Sequence, residues 1–175
     1  MTKATADRPG GDLAARVRSM PYRRNVGIMV LNADGLALVG HRVDMNADAW
    51  QMPQGGIDDG EEPEHALWRE LREEVGTDKA TVLARARDWM PYDFPLDLQP
   101  TLWEGRFRGQ TQMWFLLRFT GTDADLTLDT HEREFTHTRW VAPVELPGMV
   151  VGFKRDTYRK VLAEFAEHLQ RRGTE

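Results

Sequence analysis

Cysteine is absent from this 175-residue chain. The chain can therefore form no disulfide and no cysteine-ligated zinc or iron–sulfur site, and we expect a cytoplasmic protein. An excess of positive charge is missing too, because the formal net charge is −5 at pH 7. This charge argues against a broad non-specific nucleic-acid surface, and DNA is not an expected partner. Any contact with nucleic acid should instead be local, at one end of a nucleic-acid strand.

Long apolar runs are missing as well. No segment reaches the length of a membrane span, and residues 1–20 lack the apolar stretch of a signal peptide. We expect no membrane partner and interpret residues 1–20 as a mobile N-terminal arm. The chain is 41% hydrophobic and 29% charged, which is typical of a globular protein. We place one domain at residues 21–172, long enough to bury a core.

Short apolar segments bounded by glycine, proline or polar residues predict β-strands. These segments are residues 26–31, 36–39, 81–89, 112–119 and 135–141. The first two flank a turn sequence at 32–35 and predict a hairpin. Residues 43–56 show no periodicity and are expected to form a loop or a short extended segment. Residues 89–103 contain three prolines and four aromatics, which indicates an ordered loop.

Two amphipathic segments predict helices that pack on a core. The first begins near Glu61 or Glu62 and ends before Gly76, which suits a C-cap. Pro63 falls in its first turn, where no backbone donor is needed. The second helix runs over about residues 154–170. Strands interspersed with two long helices predict a mixed α/β class.

The first predicted helix carries three carboxylates on one side. Glu70, Glu73 and Glu74 are spaced i, i+3 and i+4, so at about 100° per residue they share a face and repel one another. Glu73 and Glu74 also lie at the negative end of the helix dipole, just before Gly76. A bound cation would relieve both effects, and clustered carboxylate oxygens suit Mg²⁺ or Mn²⁺. The alternative is a solvated helix face on which Arg69 forms surface ion pairs.

The spacing around this helix resembles the Nudix box, the signature of hydrolases that cleave nucleoside diphosphates linked to another group. The matching positions are Gly55, five residues, Glu61, seven residues, Arg69-Glu70-Leu71, one residue, Glu73-Glu74, one residue and Gly76. Thr77 departs from the pattern, since the family generally has an aliphatic residue there. The resemblance implies an α/β/α sandwich with a central mixed sheet.

Four further segments resemble one branch of this family, the RNA 5′-pyrophosphohydrolases and diadenosine-tetraphosphate hydrolases. They are residues 22–27, 50–56, 110–115 and 152–156, so that the resemblance covers about residues 22–166. It implies Mg²⁺-dependent removal of pyrophosphate from triphosphorylated RNA 5′ ends, or of phosphate from diphosphorylated ends. Asymmetric cleavage of diadenosine polyphosphates is the alternative. A non-catalytic module that binds nucleotides or RNA is a third possibility.

The resemblance also implies roles for the acidic residues. Glu70, Glu73 and Glu74 are expected to bind metal, together with Gly55 and a later acid that matches Glu134. Metal ions would neutralise the polyphosphate and lower the pKa of a bound water. We expect Glu70 to be the general base, with Glu134 as the alternative. Arg69 is also expected to be a catalytic residue. Without the family, Glu134 would be interpreted as an exposed acid on a strand.

Substrate-binding residues are implied on the other segments. Arg23 and Lys154 match positions that contact substrate phosphates or the adjacent nucleotides, and Val151 and Phe153 match positions where a base packs or stacks. Phe153 could instead begin the core face of the last helix. The remaining expected contacts are Gln54 and Tyr92, the latter in a loop that could also be a structural flap. The family often has a lysine where this chain has Met113, so Arg106 or Arg108 could supply that phosphate contact.

Overall fold

The computed structural model describes residues 9–44, 49–131 and 133–170, and within them eight strands form one mixed sheet. The strands are β1 (Tyr22–Leu31), β2 (Ala37–Arg42), β3 (Trp50–Gln51), β4 (Gln54–Gly56), β5 (Ala80–Arg85), β6 (Met90–Asp93), β7 (Gly109–Phe119) and β8 (Phe135–Val141). The helices described are α1 (Pro9–Arg18), α2 (Pro63–Val75), α3 (Leu146–Met149), α4 (Arg155–Glu164) and α5 (Ala166–Gln170). None of these helices is long and apolar enough to cross a membrane.

The centre of the sheet is the parallel pair β1 and β7, in register from Tyr22 with Gly109 to Leu31 with Arg118. Both strands are buried over most of their length, as expected for strands covered on both faces. β1 also pairs antiparallel with β2 and β4, whereas β7 pairs antiparallel with β5 and β6. β2 in turn pairs with β3 and β8.

Helices α2 and α4 cover opposite faces of the sheet. Tyr158 of α4 packs edge-to-face on Trp114, at 5.7 Å between ring centroids. Glu64 of α2 is paired with Arg85, whose guanidinium lies 5.7 Å from the ring centre of Phe115. Because neighbouring residues of a strand point to opposite faces, the two helices sandwich the sheet. The predicted α/β/α sandwich with a mixed sheet is confirmed.

The boundaries of α2 follow from its sequence. Pro63 occupies the first turn, and the buried stripe of Leu67, Leu71 and Val75 faces the core. Gly76 ends the helix in the left-handed region, with φ at 74°, and its N–H donates to the carbonyl of Arg72 at 3.0 Å. This geometry places the carboxylate face of the helix at one end of the sandwich.

Several predicted elements have different boundaries in the structure. The strand expected over 81–89 ends at Arg85, and the loop expected over 89–103 begins with strand β6. This strand was not predicted because it contains Pro91. The Pro91 side chain is exposed, whereas Met90 and Tyr92 are buried. An edge strand accepts proline at such a position. The helix expected over 154–170 is divided after Glu164.

The N-terminal segment is partly structured. Residues 1–8 of the expected arm lie outside the described residues, whereas Pro9–Arg18 form α1. Val17 is 4% exposed, and Arg108 donates a hydrogen bond to the carbonyl of Arg18 at 3.0 Å. This part of the segment therefore packs on the domain. The expected domain end at residue 172 also lies outside the described residues.

Candidate active site

A cleft of about 650 Å³ lies at the end of the sandwich where β4 meets α2. It gathers nearly all the residues that the sequence singled out: Arg23, Gln54, Gly55, Arg69, Glu70, Glu73, Tyr92, Glu134, Val151, Phe153 and Lys154. Glu74 is buried, with 2% of its surface exposed. A smaller groove of about 370 Å³ between residues 87–91 and α4 contains none of them.

The carboxyl group of Glu70 lies directly against Gly55. A Cβ atom added at Gly55 would be 1.8 Å from the Glu70 carboxyl carbon, so only glycine allows this approach. Gly55 is placed there by β4, which pairs with β1 through Val26. The glycine and the glutamate of the box are thus 15 residues apart in sequence but in contact in the fold.

Arg69 binds four acceptor groups of the acidic cluster. Its Nε and Nη2 donate to both carboxylate oxygens of Glu61, at 3.0 and 2.8 Å. Its Nη1 donates to Glu70 at 2.7 Å and to Glu73 at 3.2 Å, and Nη2 also donates to the carbonyl of Gly56 at 2.7 Å. These bonds hold the pKa of Glu61 at about 2. Arg69 therefore links the loop to the helix and fixes the position of Glu70.

Glu74 and Glu134 form the buried side of the cluster. Glu74 Oε2 accepts a hydrogen bond from the Gln54 N–H at 3.0 Å, whereas no described residue donates to Oε1. Its carboxyl group lies within hydrogen-bonding reach of the Glu134 carboxyl. Burial, and then the charge of Glu134, raise the pKa of Glu74 well above its usual value. Two carboxyl groups this close require a proton or a cation between them.

Burial also raises the pKa of Glu70, to about 7. The guanidinium of Arg69 opposes this shift, whereas the charges of Glu73 and Glu134 add to it. A carboxyl group with a pKa near neutrality can accept a proton at physiological pH, which suits a general base. Arg69 donates to Oε1 of Glu70. Within the described residues no donor is bound to Oε2, which leaves that oxygen for proton transfer.

The donor set fits a hard divalent cation. Glu74 Oε1 is a buried acceptor without a donor among the described residues. Burial, and then the neighbouring carboxyl groups, raise the pKa values of both Glu70 and Glu74. Among the described residues, no three histidine, aspartate or glutamate side chains are grouped so that they could hold a metal ion as they stand. Because Arg69 binds Glu70 and Glu73, a cation must share or replace some of these contacts.

Arg23 presents its guanidinium to the cleft. It is half-buried, and among the described residues it has neither an ion pair nor a hydrogen-bond acceptor. Its closest neighbours are Gly56, where an added Cβ would lie 2.0 Å from Nη2, and the ring of Trp103, 5.0 Å from Cζ. Burial lowers the pKa of Arg23, whereas the charge of Glu70 raises it. The five N–H donors of Arg23 have no acceptor among the described residues. They therefore suit an anion such as a phosphate group.

Lys154 closes the opposite side of the cleft. Its Nζ lies 3.1 Å from Gln54 Oε1 and 3.4 Å from Gln51 Oε1. Gln54 also accepts a hydrogen bond from Gln112, at 3.2 Å, so neutral amides surround the ammonium group. Burial, and then the charge of Arg42, lower the pKa of Lys154 to about 8. This lysine is therefore held in place but titrates close to physiological pH.

Aromatic rings line the half of the cleft away from the carboxylates. Phe153 lies 6.0 Å from Tyr92 and 6.5 Å from Phe94, between ring centroids. Phe94 stacks on Trp103 at 5.3 Å, with 15° between the ring planes. Tyr92 donates its hydroxyl to Gln110, and burial raises its pKa. These surfaces suit the flat face of a nucleobase.

Several residues of the cleft could not be singled out from the sequence. They are Asn25, Arg42, Asp44, Gln51, Gly56, Asp58, Phe94, Leu98, Leu102, Trp103 and Gln110. For Phe94 and Trp103, the concentration of aromatics in an ordered loop was the available signal. Arg42 gave no comparable signal, because it is a single charged residue at the end of β2 and reaches the cleft only through the fold.

The expected replacements for a lysine at position 113 do not line the cleft. Arg108 is paired with Asp93 at 2.7 Å, and Arg106 lies 3.7 Å from Glu104. Met113 is itself 2% exposed. The free arginine of the cleft is Arg23, as far as the described residues extend.

Comparison with known proteins supports the family resemblance that the residues of the box carry. The profile described as the NUDIX domain matches residues 21–165. The RNA pyrophosphohydrolase of Roseobacter denitrificans is 49% identical over 155 residues, 87% of this chain and 97% of that protein. The RNA pyrophosphohydrolase of Rhodospirillum rubrum is 52% identical over 147 residues, 84% of this chain and 88% of that protein.

Solved structures share the fold at lower identity. The Escherichia coli dihydroneopterin triphosphate pyrophosphohydrolase has a TM-score of 0.63 and 18% identity, covering 80% of this chain and 96% of that one. A Caenorhabditis elegans Ap4A hydrolase in a binary complex has a TM-score of 0.57 and 17% identity, covering 82% and 98%. The matched profile, the similar relatives and the shared fold establish that the chain belongs to the Nudix family of hydrolases.

Proposed function

We propose that this protein is an RNA pyrophosphohydrolase. It removes pyrophosphate from the 5′ end of triphosphorylated RNA, or phosphate from diphosphorylated RNA, and leaves a 5′ monophosphate. The observation that carries the proposal is the division of one cleft into an acidic half around Glu70 and an aromatic, cationic half around Arg23 and Phe153. The relatives that are 49% and 52% identical to this chain are named RNA pyrophosphohydrolases, which supports the same substrate. The cytoplasmic location expected from the sequence stays a prediction.

Nudix hydrolases generally use divalent cations, and we propose Mg²⁺ here, with Mn²⁺ as a substitute. Glu70, Glu73, Glu74, Glu134 and the backbone of Gly55 would hold it. When bound, Mg²⁺ would neutralise the polyphosphate and lower the pKa of water at the site.

The protein's own residues divide the remaining work. Glu70 accepts the proton of the attacking water through Oε2, with Glu134 as the alternative base. Arg69 acts by holding Glu70 and Glu73 in position, since it is bound to both. Arg23 binds a phosphate of the substrate, and Phe153 and Val151 pack against a base next to it, while Lys154, Gln54 and Tyr92 form the adjoining wall.

Diadenosine polyphosphates are the second candidate substrate. The ring of Phe153, with Tyr92 beside it, suits a nucleobase, whether it belongs to RNA or to a dinucleotide. A polyphosphate between two adenosines also presents the charge that the acidic half, loaded with cations, would bind. The relative rates on the two substrates decide between them.

The test is hydrolysis with Mg²⁺ of a 5′-triphosphorylated RNA and, separately, of diadenosine tetraphosphate. We expect pyrophosphate and 5′-monophosphorylated RNA, at a higher kcat/KM than for the dinucleotide. Glu70→Gln should abolish turnover while the protein still folds, and near-wild-type activity of this variant would remove Glu70 from the mechanism. The matched control is Glu64→Gln, on the same helix but outside the cleft. Retained RNA binding by wild type with no hydrolysis of either substrate would indicate a non-catalytic module instead.

A further inference from the structure

One loop of the cleft wall has a strained backbone. Trp103 and Glu104 have positive φ angles of 46° and 59°, which no other non-glycine residue in the described ranges shows. L-amino acids rarely adopt this conformation, and it persists only where the surrounding structure holds it. The buried side chain of Gln99 supplies such a constraint, because its Nε2 donates to the carbonyls of Gly105 at 3.0 Å and Phe107 at 3.2 Å. The strained loop sets the direction of the Trp103 side chain.

The indole of Trp103 contacts two residues of the cleft. It is stacked nearly parallel to Phe94, as described above, and the guanidinium carbon of Arg23 lies 5.0 Å from its ring centre. Trp103 is 37% exposed, so the loop does not hold this ring in strain to fill the core. Backbone strain that directs an exposed ring into a cleft is typical of a functional contact.

Arg23 has no polar partner that would otherwise fix its side chain, as far as the described residues extend. The backbone of Gly56 limits it on one side, because an added Cβ there would be 2.0 Å from Nη2. The Trp103 ring supplies the other contact, and a guanidinium is attracted to the face of an indole. The two contacts together determine where the five donors of Arg23 point.

We propose that Trp103 is a positioning residue: its stacked ring, directed by the strained backbone, holds the Arg23 guanidinium ready for a substrate phosphate. An unrestrained arginine loses much rotamer freedom when it binds an anion, and a ring that restrains it beforehand reduces that loss. This inference rests on the proposed function, because it assigns the substrate phosphate to Arg23. The contact itself exists without substrate and can be tested alone.

The first test is NMR of the metal-free and substrate-free protein with ¹⁵N-labelled arginine. The ring current of Trp103 should displace the Arg23 Nε–H resonance, and Trp103→Leu should remove this displacement. Trp103→Phe should retain part of it. Leu96→Ala is the matched control, because Leu96 is an exposed residue of the same loop outside the cleft. An Arg23 resonance that is the same in wild type and Trp103→Leu overturns the proposal.

The second test is a double-mutant cycle on hydrolysis of triphosphorylated RNA. We expect Trp103→Leu to raise KM about tenfold while kcat stays within about twofold, and Trp103→Phe to have a smaller effect. In the Arg23→Gln background, Trp103→Leu should change KM no further, because its effect passes through Arg23. Fully additive effects would contradict the proposal. A wild-type protein that does not hydrolyse RNA would refute the proposed function and leave the NMR result to decide the contact.

Discussion

The buried carboxyl group of Glu70 predicts a specific pH dependence of stability in the metal-free protein. Its pKa is about 7 in the folded protein, against an ordinary value of 4.5, chiefly because of burial. The folded state therefore binds this proton more tightly than the unfolded state does. The stability that depends on the protonated form is fully present below pH 4.5 and is lost as the pH rises through 7. At about 1.4 kcal/mol per pKa unit, the loss is about 3 kcal/mol of unfolding free energy.

Glu70→Gln removes the ionisation and keeps an amide oxygen that can accept the hydrogen bond from Arg69. We expect the variant and wild type to have similar stability near pH 4.5. At pH 8 the variant should be more stable by about 3 kcal/mol, with the difference developing between these pH values. Urea denaturation in EDTA across this range measures it. A stability difference that does not change with pH would refute the reasoning about Glu70.

The same experiment with Mg²⁺ examines the proposed cation. A cation at Glu70 stabilises the ionised carboxylate, so wild type at pH 8 should gain stability with increasing Mg²⁺. The gain should be about 2.7 kcal/mol when Mg²⁺ is at a hundred times its dissociation constant. The variant should gain less, since it lacks one ligand. Asp156→Asn serves as a control because the Asp156 side chain is 84% exposed.

Three further substitutions have distinct expected outcomes. Gly55→Ala should reduce kcat at least about tenfold in steady-state assays, because the new Cβ would lie 1.8 Å from the Glu70 carboxyl carbon and displace it. Gly76→Ala should lower the unfolding free energy by about 2 kcal/mol in urea titrations, with activity near that of wild type, because φ is 74° and the Cβ would meet Thr127 at 2.1 Å. Lys154 has a pKa of about 8, so KM should rise as the pH increases through 8 and the ammonium is lost; Lys154→Met should have a high KM without that rise.

Local patterns in the sequence predicted the elements that depend on local structure. The stripe of Leu67, Leu71 and Val75 predicted the buried face of α2, and all three side chains are at most 1% exposed. Gly76 predicted its end, because a left-handed C-cap depends on one residue. The strand at 135–141 was predicted with its observed boundaries, since apolar and turn residues mark both ends.

Local patterns did not predict the elements that form by pairing between distant segments of the chain. Residues 22–25 are polar, yet they extend β1 because they pair with residues 109–112 of β7. Strand β6 likewise forms on β7, and its proline obscured the alternation. Long-range pairing depends on the whole fold, and sequence spacing around a single strand carries little information about it.

The acidic cluster shows the same distinction at the level of single residues. The spacing of Glu70, Glu73 and Glu74 predicted a shared helix face, but not that Glu74 is fully covered while Glu73 stays half-exposed. The contact of Glu74 with Glu134 joins residues 60 positions apart. Burial, and then this contact, raise the pKa of Glu74. Only the resemblance to the family indicated Glu134 beforehand.

Arg23 and Arg69, two of the three arginines of the cleft, divide their tasks according to what their donors already bind. Every N–H of Arg69 has an acceptor in the loop or on α2, so its charge is used to hold the acidic cluster together. Arg23 has no acceptor among the described residues and is restrained by a ring and a glycine instead. Because a guanidinium binds phosphate through the same donors that bind carboxylate, Arg23, unlike Arg69, can bind substrate without dismantling the cluster. Loss of Arg69 should thus act on the cation and the general base, whereas loss of Arg23 should act on the affinity for substrate.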